Sequence, residues 1–141
     1  MPYSQYQKPN SYQTPIVMNN LILESTKHTP AINFLTDGRM FIKGRSIPED
    51  INDFYAPLIE WAGSVTAPRI ILDIKLEYFN SSSAKKMLEL LKALDKNSDI
   101  RELTVNWFFE QDDDDALECG QIFEESLRKA NFRYYESFEA A

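Results

Sequence analysis

The chain has 141 residues, and its 15 lysine and arginine residues against 22 aspartate and glutamate residues give a net charge of −7 at neutral pH. This charge disfavours a general nucleic-acid binder, because such a protein needs a cationic surface that displaces counterions from phosphates. One cysteine excludes an internal disulfide and a multi-thiolate metal site, and no apolar run approaches the roughly 20 residues that cross a bilayer. We therefore expect a cytoplasmic protein of one domain, with neither nucleic acid nor membrane as a partner.

The first 20 residues differ in composition from the rest of the chain. Residues 1–20 contain three tyrosines, three glutamines and three prolines, but only one charged residue, Lys8. No helical or strand period runs through them. We interpret them as an N-terminal extension, followed by one folded domain over residues 21–141.

A β-hairpin and an amphipathic helix are predicted at the start of the domain. Residues 21–24 and 31–35 are short apolar segments, and the turn signal Asp37-Gly38 leads from them into residues 39–43. One apolar stripe at helical spacing then follows, through Ile51, Phe54, Tyr55, Leu58, Ile59, Ala62 and Val65. Because Pro57 would clash inside a helix, we expect this helix to start or kink near residue 53.

Strands and helices alternate through the rest of the chain. Residues 70–78 and 103–109 alternate between apolar and polar side chains, as half-buried strands do. Two helices are predicted, one through Met87, Leu88, Leu91 and Leu94 that ends at Lys96-Asn97, and one opened by residues 112–115 and striped by Cys119, Ile122, Phe123, Leu127 and Ala130. Residues 132–138 are predicted to form a last strand.

This order, a hairpin followed by α, β, α, β, α and β, predicts an α/β fold with a mixed, mostly parallel sheet. Since two central strands alternate, we expect the helices mainly on one face of that sheet. The open face would carry Thr104, Asn106, Phe108, Ile71, Phe41 and Phe34, beside the polar Asp73 and Lys75. Such a patch predicts a contact surface, covered by a second copy of the chain or by residues 1–20.

Four polar residues follow the first central strand directly, at the predicted start of a helix. Asn80-Ser81-Ser82-Ser83 can cap the helix, because such side chains accept hydrogen bonds from the free N–H groups of its first turn. The same N–H groups and the positive end of the helix dipole would also stabilise a phosphate on a serine. Lys85 and Lys86 could pair with that phosphate. The residues alone leave capping and a phosphorylation switch both open.

The segments around these serines carry a family resemblance. They are Pro48-Glu49-Asp50, Phe54, Leu58-Ile59-Glu60-Trp61 and, above all, Leu76-Glu77-Tyr78-Phe79-Asn80-Ser81-Ser82-Ser83-Ala84-Lys85-Lys86-Met87, with Thr29-Pro30 upstream and Trp107-Phe108-Phe109 downstream. Together they resemble the SiaC-like regulatory phosphoproteins of bacteria over residues 21–138.

The resemblance implies a STAS-like fold, similar to that of anti-anti-sigma antagonists, in a partner-switching protein that is not an enzyme. It implies that a protein kinase phosphorylates the residue after the asparagine, here Ser81, and that a metal-dependent Ser/Thr phosphatase removes the phosphate. The unphosphorylated form is then expected to bind and activate a diguanylate cyclase, and so to act on cyclic di-GMP synthesis. In the wider STAS group the acceptor aligns with Ser82, which is the second choice. Asn80, Ser83, Lys85 and Lys86 complete the surroundings of the site.

No catalytic, metal or cofactor site is expected. Asp112–Asp115 lacks the glycine and glutamate that a calcium loop requires, and acidic residues before a helix cap it. His28 has no identifiable orienting partner, Cys119 falls on an apolar stripe, and four scattered glycines make no phosphate-binding loop. The alternative function is a structural or assembly protein, such as a homodimer, that uses the open sheet face without a phosphoswitch. A small acidic hydrolase is a weaker third possibility.

Overall fold

The structure, a computed structural model, describes residues 18–137. The strands are β1 (Leu21–Leu23), β2 (Ala31–Phe34), β3 (Arg39–Ser46), β4 (Arg69–Phe79), β5 (Glu102–Glu110) and β6 (Ala130–Ser137), and the helices are α1 (Ile51–Ser64), α2 (Ser81–Lys96) and α3 (Asp114–Glu125). Their order along the chain is the predicted one. Within the described residues, none of the helices is long and apolar enough to cross a membrane.

All six strands form one sheet, in which the strand order follows the chain order from β1 to β6. The hairpin strands β1, β2 and β3 pair antiparallel, and β3 to β6 pair parallel. Because each crossover steps to the next strand in the same direction, right-handed connections carry the three helices to one face. The predicted α/β fold, with a mostly parallel sheet and helices on one face, is confirmed.

The core lies between the sheet and the helices. Its sheet side consists of alternate strand residues that are all buried, namely Ile32, Phe34, Met40, Ile42, Ile70, Leu72, Ile74, Leu103, Val105, Trp107 and Phe132. Placing Phe34 on the open face was wrong, because its ring is fully buried and packs 5.3 Å from the ring of Trp61 on α1. Phe34 pairs in register with Met40, so both residues point toward the helices.

A β-bulge interrupts the alternation of β4 just before the serines. Gly44 pairs with Leu76, but the next residue of β3, Arg45, pairs with Tyr78, so Glu77 is the extra residue. The bulge turns Tyr78 to the open face, where it is 53% exposed beside Arg45. The predicted alternation, which buries Tyr78, is therefore wrong at this point.

The start of α1 and the buried side of α3 differ from the predicted ones. Helix α1 begins at Ile51, with the Asp50 side chain as its N-cap, and Pro57 lies exposed inside it. Helix α3 presents Gly120 and Phe123 to the core, whereas Ile122 is 52% exposed. The predicted stripe is right at Phe123, which is buried, and at Cys119 and Leu127, which pack against the core. It is wrong at Ile122 and at Ala130, which is the first residue of β6.

Residues 18–20, the end of the predicted extension, contact the domain. The Trp61 indole N–H donates to the carbonyl of Asn19 (2.8 Å), and the Asn20 side chain accepts from the N–H of Thr36 (2.8 Å). Met18 packs against the core. The rest of the extension lies outside the described residues, and the domain boundary at residue 20 stays a prediction.

Candidate functional site

The Asn80–Ser83 motif lies at the carboxyl-terminal edge of the parallel strands. Asn80 follows the last residue of β4, and Ser81 is the first residue of α2. Because β4 lies between β3 and β5, the motif is flanked by the loops that lead into α1 and α3. In open α/β sheets, this edge is where loops gather to form binding surfaces.

Asn80 caps α2 and leaves two N–H groups free. Its side-chain oxygen accepts from the N–H of Ser83 (2.9 Å), and its carbonyl accepts from the N–H of Ala84 (3.0 Å). The N–H groups of Ser81 and Ser82 make no hydrogen bond to another described residue. The helix start therefore keeps two donors and the positive end of its dipole available to an anion.

The three serines occupy different environments. Ser81 and Ser82 are exposed, whereas Ser83 is fully buried. The Ser83 hydroxyl donates to the carbonyl of Ser46 (2.7 Å) and accepts from the Ser46 hydroxyl (2.8 Å). Ser83 was predicted to surround a phosphorylated residue, but its side chain belongs to the interior contact between α2 and the end of β3.

A buried chain of hydroxyl groups extends from this contact into α1. The hydroxyls of Ser46 and Tyr55 lie 2.5 Å apart. Since the Ser46 hydroxyl already donates to Ser83, the Tyr55 hydroxyl donates to Ser46. The hydroxyl hydrogens of Tyr55, Ser46 and Ser83 therefore all have acceptors. Burial raises the pKa of the Tyr55 phenol, and the Ser46 and Ser83 hydroxyls partly offset this effect, because they can turn to donate to a phenolate.

Sequence reasoning missed this hydroxyl chain. Tyr55 was assigned to the apolar stripe of α1, and Ser46 carried no signal. The available clue was the phenol itself, because the hydroxyl of a buried tyrosine normally finds a hydrogen-bond partner.

The two lysines of the first turns of α2 are in different states. Lys85 is exposed and is absent from the ion pairs of the described residues. The ammonium group of Lys86 lies 3.3 Å from the carboxylate of Glu89. Residues four apart are neighbours on a helix surface, so Lys85 is the neighbour of Ser81 and Lys86 is the neighbour of Ser82.

The acidic turn before α3 acts as a helix cap. Asp113 is the N-cap, and its side chain accepts from the N–H of Ala116 (3.0 Å). Asp112 adopts a positive φ of 71° to close the turn. Across residues 18–137, no group of three or more histidine, cysteine, aspartate or glutamate side chains is arranged to hold a metal ion.

His28 and Cys119, the other candidate reactive residues, lie apart from the serines. His28 is exposed in the β1–β2 loop, where its carbonyl accepts from the N–H of Ile47 (2.8 Å). Cys119 is half-buried in α3, and burial raises the pKa of its thiol to about 11. A thiol with this pKa is a poor nucleophile at neutral pH.

The open sheet face combines aromatic and charged groups. Phe108 stacks on Tyr135 with ring centroids 5.1 Å apart, and the Lys75 ammonium lies 5.7 Å from the Phe108 centroid. The Asn106 amide donates to Asp73 (2.8 Å), while its buried carbonyl oxygen has no partner among the described residues. Tyr135 was missing from the predicted face, because the adjacent Tyr134 and Tyr135 do not show which of the two side chains faces the core.

Comparison with known proteins assigns the family. A family model described as SiaC family regulatory phosphoprotein matches residues 23–137. An uncharacterized protein of Pseudomonas aeruginosa is 28% identical over 113 residues, which cover 77% of this chain and 90% of the relative.

Solved structures agree with that match. The crystal structure of apo-SiaC from Pseudomonas aeruginosa is similar with a TM-score of 0.72 and 28% identity, covering 84% of this chain and 99% of that one. A chain in the crystal structure of the diguanylate cyclase SiaD in complex with its activator SiaC, from the same organism, is similar with a TM-score of 0.73 and 26% identity, covering 83% and 99%.

Proposed function

Because this chain belongs to the SiaC family of regulatory phosphoproteins, we propose that it is a non-enzymatic, cytoplasmic partner switch controlled by phosphorylation of Ser81. The unphosphorylated form binds and activates a diguanylate cyclase, and so raises cyclic di-GMP synthesis. A protein kinase adds the phosphate, and a metal-dependent Ser/Thr phosphatase removes it. The complex of the similar protein SiaC with the diguanylate cyclase SiaD supports the choice of effector.

The observation that carries the choice of acceptor is the position of Ser81 at the start of α2. Its hydroxyl is exposed, and two free N–H groups lie beside it. A phosphate on Ser81 would have the unpaired Lys85 as its neighbour, four residues along the helix. A phosphate on Ser82, the second choice, would have to compete with Glu89 for Lys86. Ser83 is buried and unavailable to a kinase in this conformation.

The proposed switch acts through local electrostatics. A phosphate adds about −1.5 to −2 charges at neutral pH. The helix N-terminus and Lys85 hold it at the surface of the domain, where a docked effector would have to desolvate it or tolerate its charge. The added charge therefore opposes binding without any rearrangement of the fold.

The acceptor is tested by intact-mass analysis after incubation with the cognate kinase and ATP. The wild-type chain is expected to gain one phosphate, ~80 Da, and Ser81→Ala is expected to gain none. Ser82→Ala and Ser98→Ala serve as matched controls and should be labelled fully. Both alter exposed serines: Ser82 lies beside Ser81 at the start of α2, and Ser98 lies just beyond the end of that helix. Full labelling of Ser81→Ala together with loss of labelling in Ser82→Ala would assign the acceptor to Ser82.

The direction of the switch is tested by measuring affinity for the diguanylate cyclase. Unphosphorylated wild type and Ser81→Ala should bind equally, and the phosphorylated chain should bind at least about 10-fold more weakly, since like charges at an interface are costly. Ser81→Asp should fall between them, because aspartate carries less charge than phosphate. Equal affinity of the wild type before and after phosphorylation would contradict the proposed function.

The open sheet face favours a second candidate function, assembly with another copy of the chain. Ile71, which pairs with Thr104, is 43% exposed on that face, and Tyr135, which is 42% exposed, stacks on Phe108. Apolar and aromatic groups this close together are typical of contact surfaces. Phe108→Glu and deletion of residues 1–20 should each alter the mass in solution if this face, or the extension over it, mediates assembly. An unchanged mass in both cases would mean that the face is simply solvated.

A further inference from the structure

Helix α2 presents a row of lysines to solvent, on the same face as Ser81. Lys85, Lys92 and Lys96 follow Ser81 by 4, 11 and 15 residues, and these spacings place all four on one side of an α-helix. All three lysines are exposed, while Met87, Leu91 and Leu94 occupy the buried side. We call Lys85, Lys92 and Lys96 the basic face of α2.

Arg128, which follows the end of α3, lies next to the basic face of α2. A surface depression of about 540 Å³ lies between the two helices and is lined by Lys92, Asp95, Lys96, Ser126 and Arg128. The carboxylate of Asp95 is already hydrogen-bonded to the main chain, because it accepts from the backbone N–H groups of Arg128 (2.8 Å), Lys129 (2.9 Å) and Ala130 (3.2 Å). Three cationic side chains therefore surround a depression whose one carboxylate is engaged by the main chain.

The cations of this surface lack anionic partners within the described residues. Glu89 lies on the same side of α2, but its carboxylate pairs with Lys86. Lys85, Lys92, Lys96 and Arg128 take part in none of the ion pairs found between residues 18 and 137. Three unpaired cations around the depression, with Lys85 about two helical turns away along the same side of α2, make a positive surface on a chain of net charge −7.

We propose that the basic face of α2, with Arg128, is the surface on which an acidic segment of the effector docks. The proposal rests on the proposed function and names the chemistry of the partner at the same site. A protein segment fits better than a nucleic acid, because the three lysines span only ~16 Å of helix and the rest of the chain would repel a long polyanion. Complementary charge would also bring the two proteins together quickly at low salt.

This arrangement explains why a phosphate on Ser81 would release such a partner. Ser81 lies at the N-terminal end of the basic face, one turn before Lys85. A phosphate there adds negative charge beside the docked carboxylates and also engages Lys85, so the surface loses one cation and gains an anion. An acidic partner is thus repelled by the modification, whereas a basic partner would be attracted.

The experiment reverses charge on the part of the surface that lies away from the phosphate. Lys92→Glu/Lys96→Glu and Arg128→Glu are compared with Lys27→Glu/Arg101→Glu, a matched double variant of exposed cations outside this surface. Affinity for the diguanylate cyclase is measured at about 50 and 300 mM salt, a range over which surface charges become screened. The unphosphorylated full chain is used in every case.

Binding by Lys92→Glu/Lys96→Glu is expected to be at least about 10-fold weaker than wild type at low salt, with a smaller dependence on salt. Arg128→Glu should weaken binding less, and the control double variant should bind as the wild type does. The circular dichroism spectrum should be unchanged, because all the altered side chains are exposed. The melting temperature should fall by no more than about 5 °C, because Lys96→Glu places a negative charge in the last turn of α2.

Two results would overturn the proposal and leave the proposed function standing. One is wild-type affinity in Lys92→Glu/Lys96→Glu while phosphorylation of the wild type still weakens binding. The other is lysine-dependent binding to duplex DNA or to anionic vesicles with an affinity equal to that for the cyclase. By contrast, a wild-type chain whose affinity ignores phosphorylation would refute the proposed function, whatever the lysine variants do.

Discussion

Replacement of Ser83 by alanine separates the structural serine of the motif from the two exposed ones. The Ser83 hydroxyl donates to the Ser46 carbonyl (2.7 Å) and accepts from the Ser46 hydroxyl (2.8 Å), and all of these atoms are buried. In Ser83→Ala, the Ser46 carbonyl loses this donor and keeps only the longer hydrogen bond from the N–H of Asn80 (3.4 Å). Whichever way the Ser46 and Tyr55 hydroxyls then rotate, one of their two hydrogens has no acceptor.

The magnitude follows from these two losses. Leaving the buried hydroxyl hydrogen without an acceptor costs about 1–3 kcal/mol, and losing the hydrogen bond to the Ser46 carbonyl costs about 1 kcal/mol more. Since local relaxation recovers part of this cost, we expect Ser83→Ala to lower the free energy of unfolding by about 2–3 kcal/mol. For a domain of this size that corresponds to a fall in melting temperature of about 6–10 °C. Tyr55→Phe should cost only about 1 kcal/mol, because it removes a donor and strands no hydrogen.

Chemical denaturation and thermal melting measure these differences, with Ser81→Ala and Ser82→Ala as matched controls. Both controls alter exposed side chains and should change the free energy of unfolding by less than about 0.5 kcal/mol. A melting temperature of Ser83→Ala within about 2 °C of the wild type would refute the hydroxyl chain as a source of stability. A larger loss in Tyr55→Phe than in Ser83→Ala would refute the assigned direction of donation.

Two further predictions concern α3. A Cβ at Gly120 would lie 2.9 Å from three atoms of the Trp107 ring, which is 1% exposed and donates its indole N–H to Ala116, so Gly120→Ala should cost about 1–3 kcal/mol of unfolding free energy. Gly63→Ala, in α1 with nothing within 4 Å, is the matched control and should be neutral or stabilising by up to about 1 kcal/mol; equal destabilisation of both variants would contradict the argument. Since burial raises the pKa of Cys119 from 9.0 to about 11, its thiolate fraction at pH 8 should be about 100-fold below that of an ordinary thiol, and labelling with a disulfide reagent should be correspondingly slower in the native chain than in urea. Equal labelling rates in the two states would show that this thiol is not shielded.

The elements could be predicted from the sequence where a single period dominates. The alternation through β5 and the stripe through α2 follow directly from burial on one face, and the capping residue Asn80 marks where α2 begins. The β-bulge could not be predicted in the same way, since Glu77 is an extra residue only relative to β3, whose register shifts between Gly44, where φ is 121°, and Arg45. A constraint set by a neighbouring strand leaves no trace in the periodicity of the strand itself.

In the candidate site, too, the features that are local in sequence could be predicted and those that depend on distant residues could not. The exposed serines, the cap and the two lysines are local in sequence, so the motif located them. The burial of Ser83 depends on Ser46, 37 residues away, and on Tyr55 in a different helix. Residues so distant in sequence come into contact only when the parallel sheet has assembled, and a serine or a tyrosine in the sequence does not indicate which partner it will have. The basic face of α2 could have been predicted from helical spacing. That its cations have no anionic partners follows only from the ion pairs and from the hydrogen bonds of Asp95 in the structure.

The energetics of a phosphate on Ser81 indicate where a switch of this kind has to act. A charge at a helix N-terminus changes stability by about 0.3–1 kcal/mol, and a pair with a lysine four residues away adds about 0.2–0.5 kcal/mol. Against a domain stability of about 5–15 kcal/mol, these amounts cannot unfold α2 or reorganise the sheet, and the buried hydroxyls of Ser83 and Ser46 hold the helix start in place. A tenfold change in affinity needs only about 1.4 kcal/mol, and a single unfavourable charge contact at an interface supplies that amount. The modification can therefore control binding while the domain stays rigid, provided that the effector covers the start of α2.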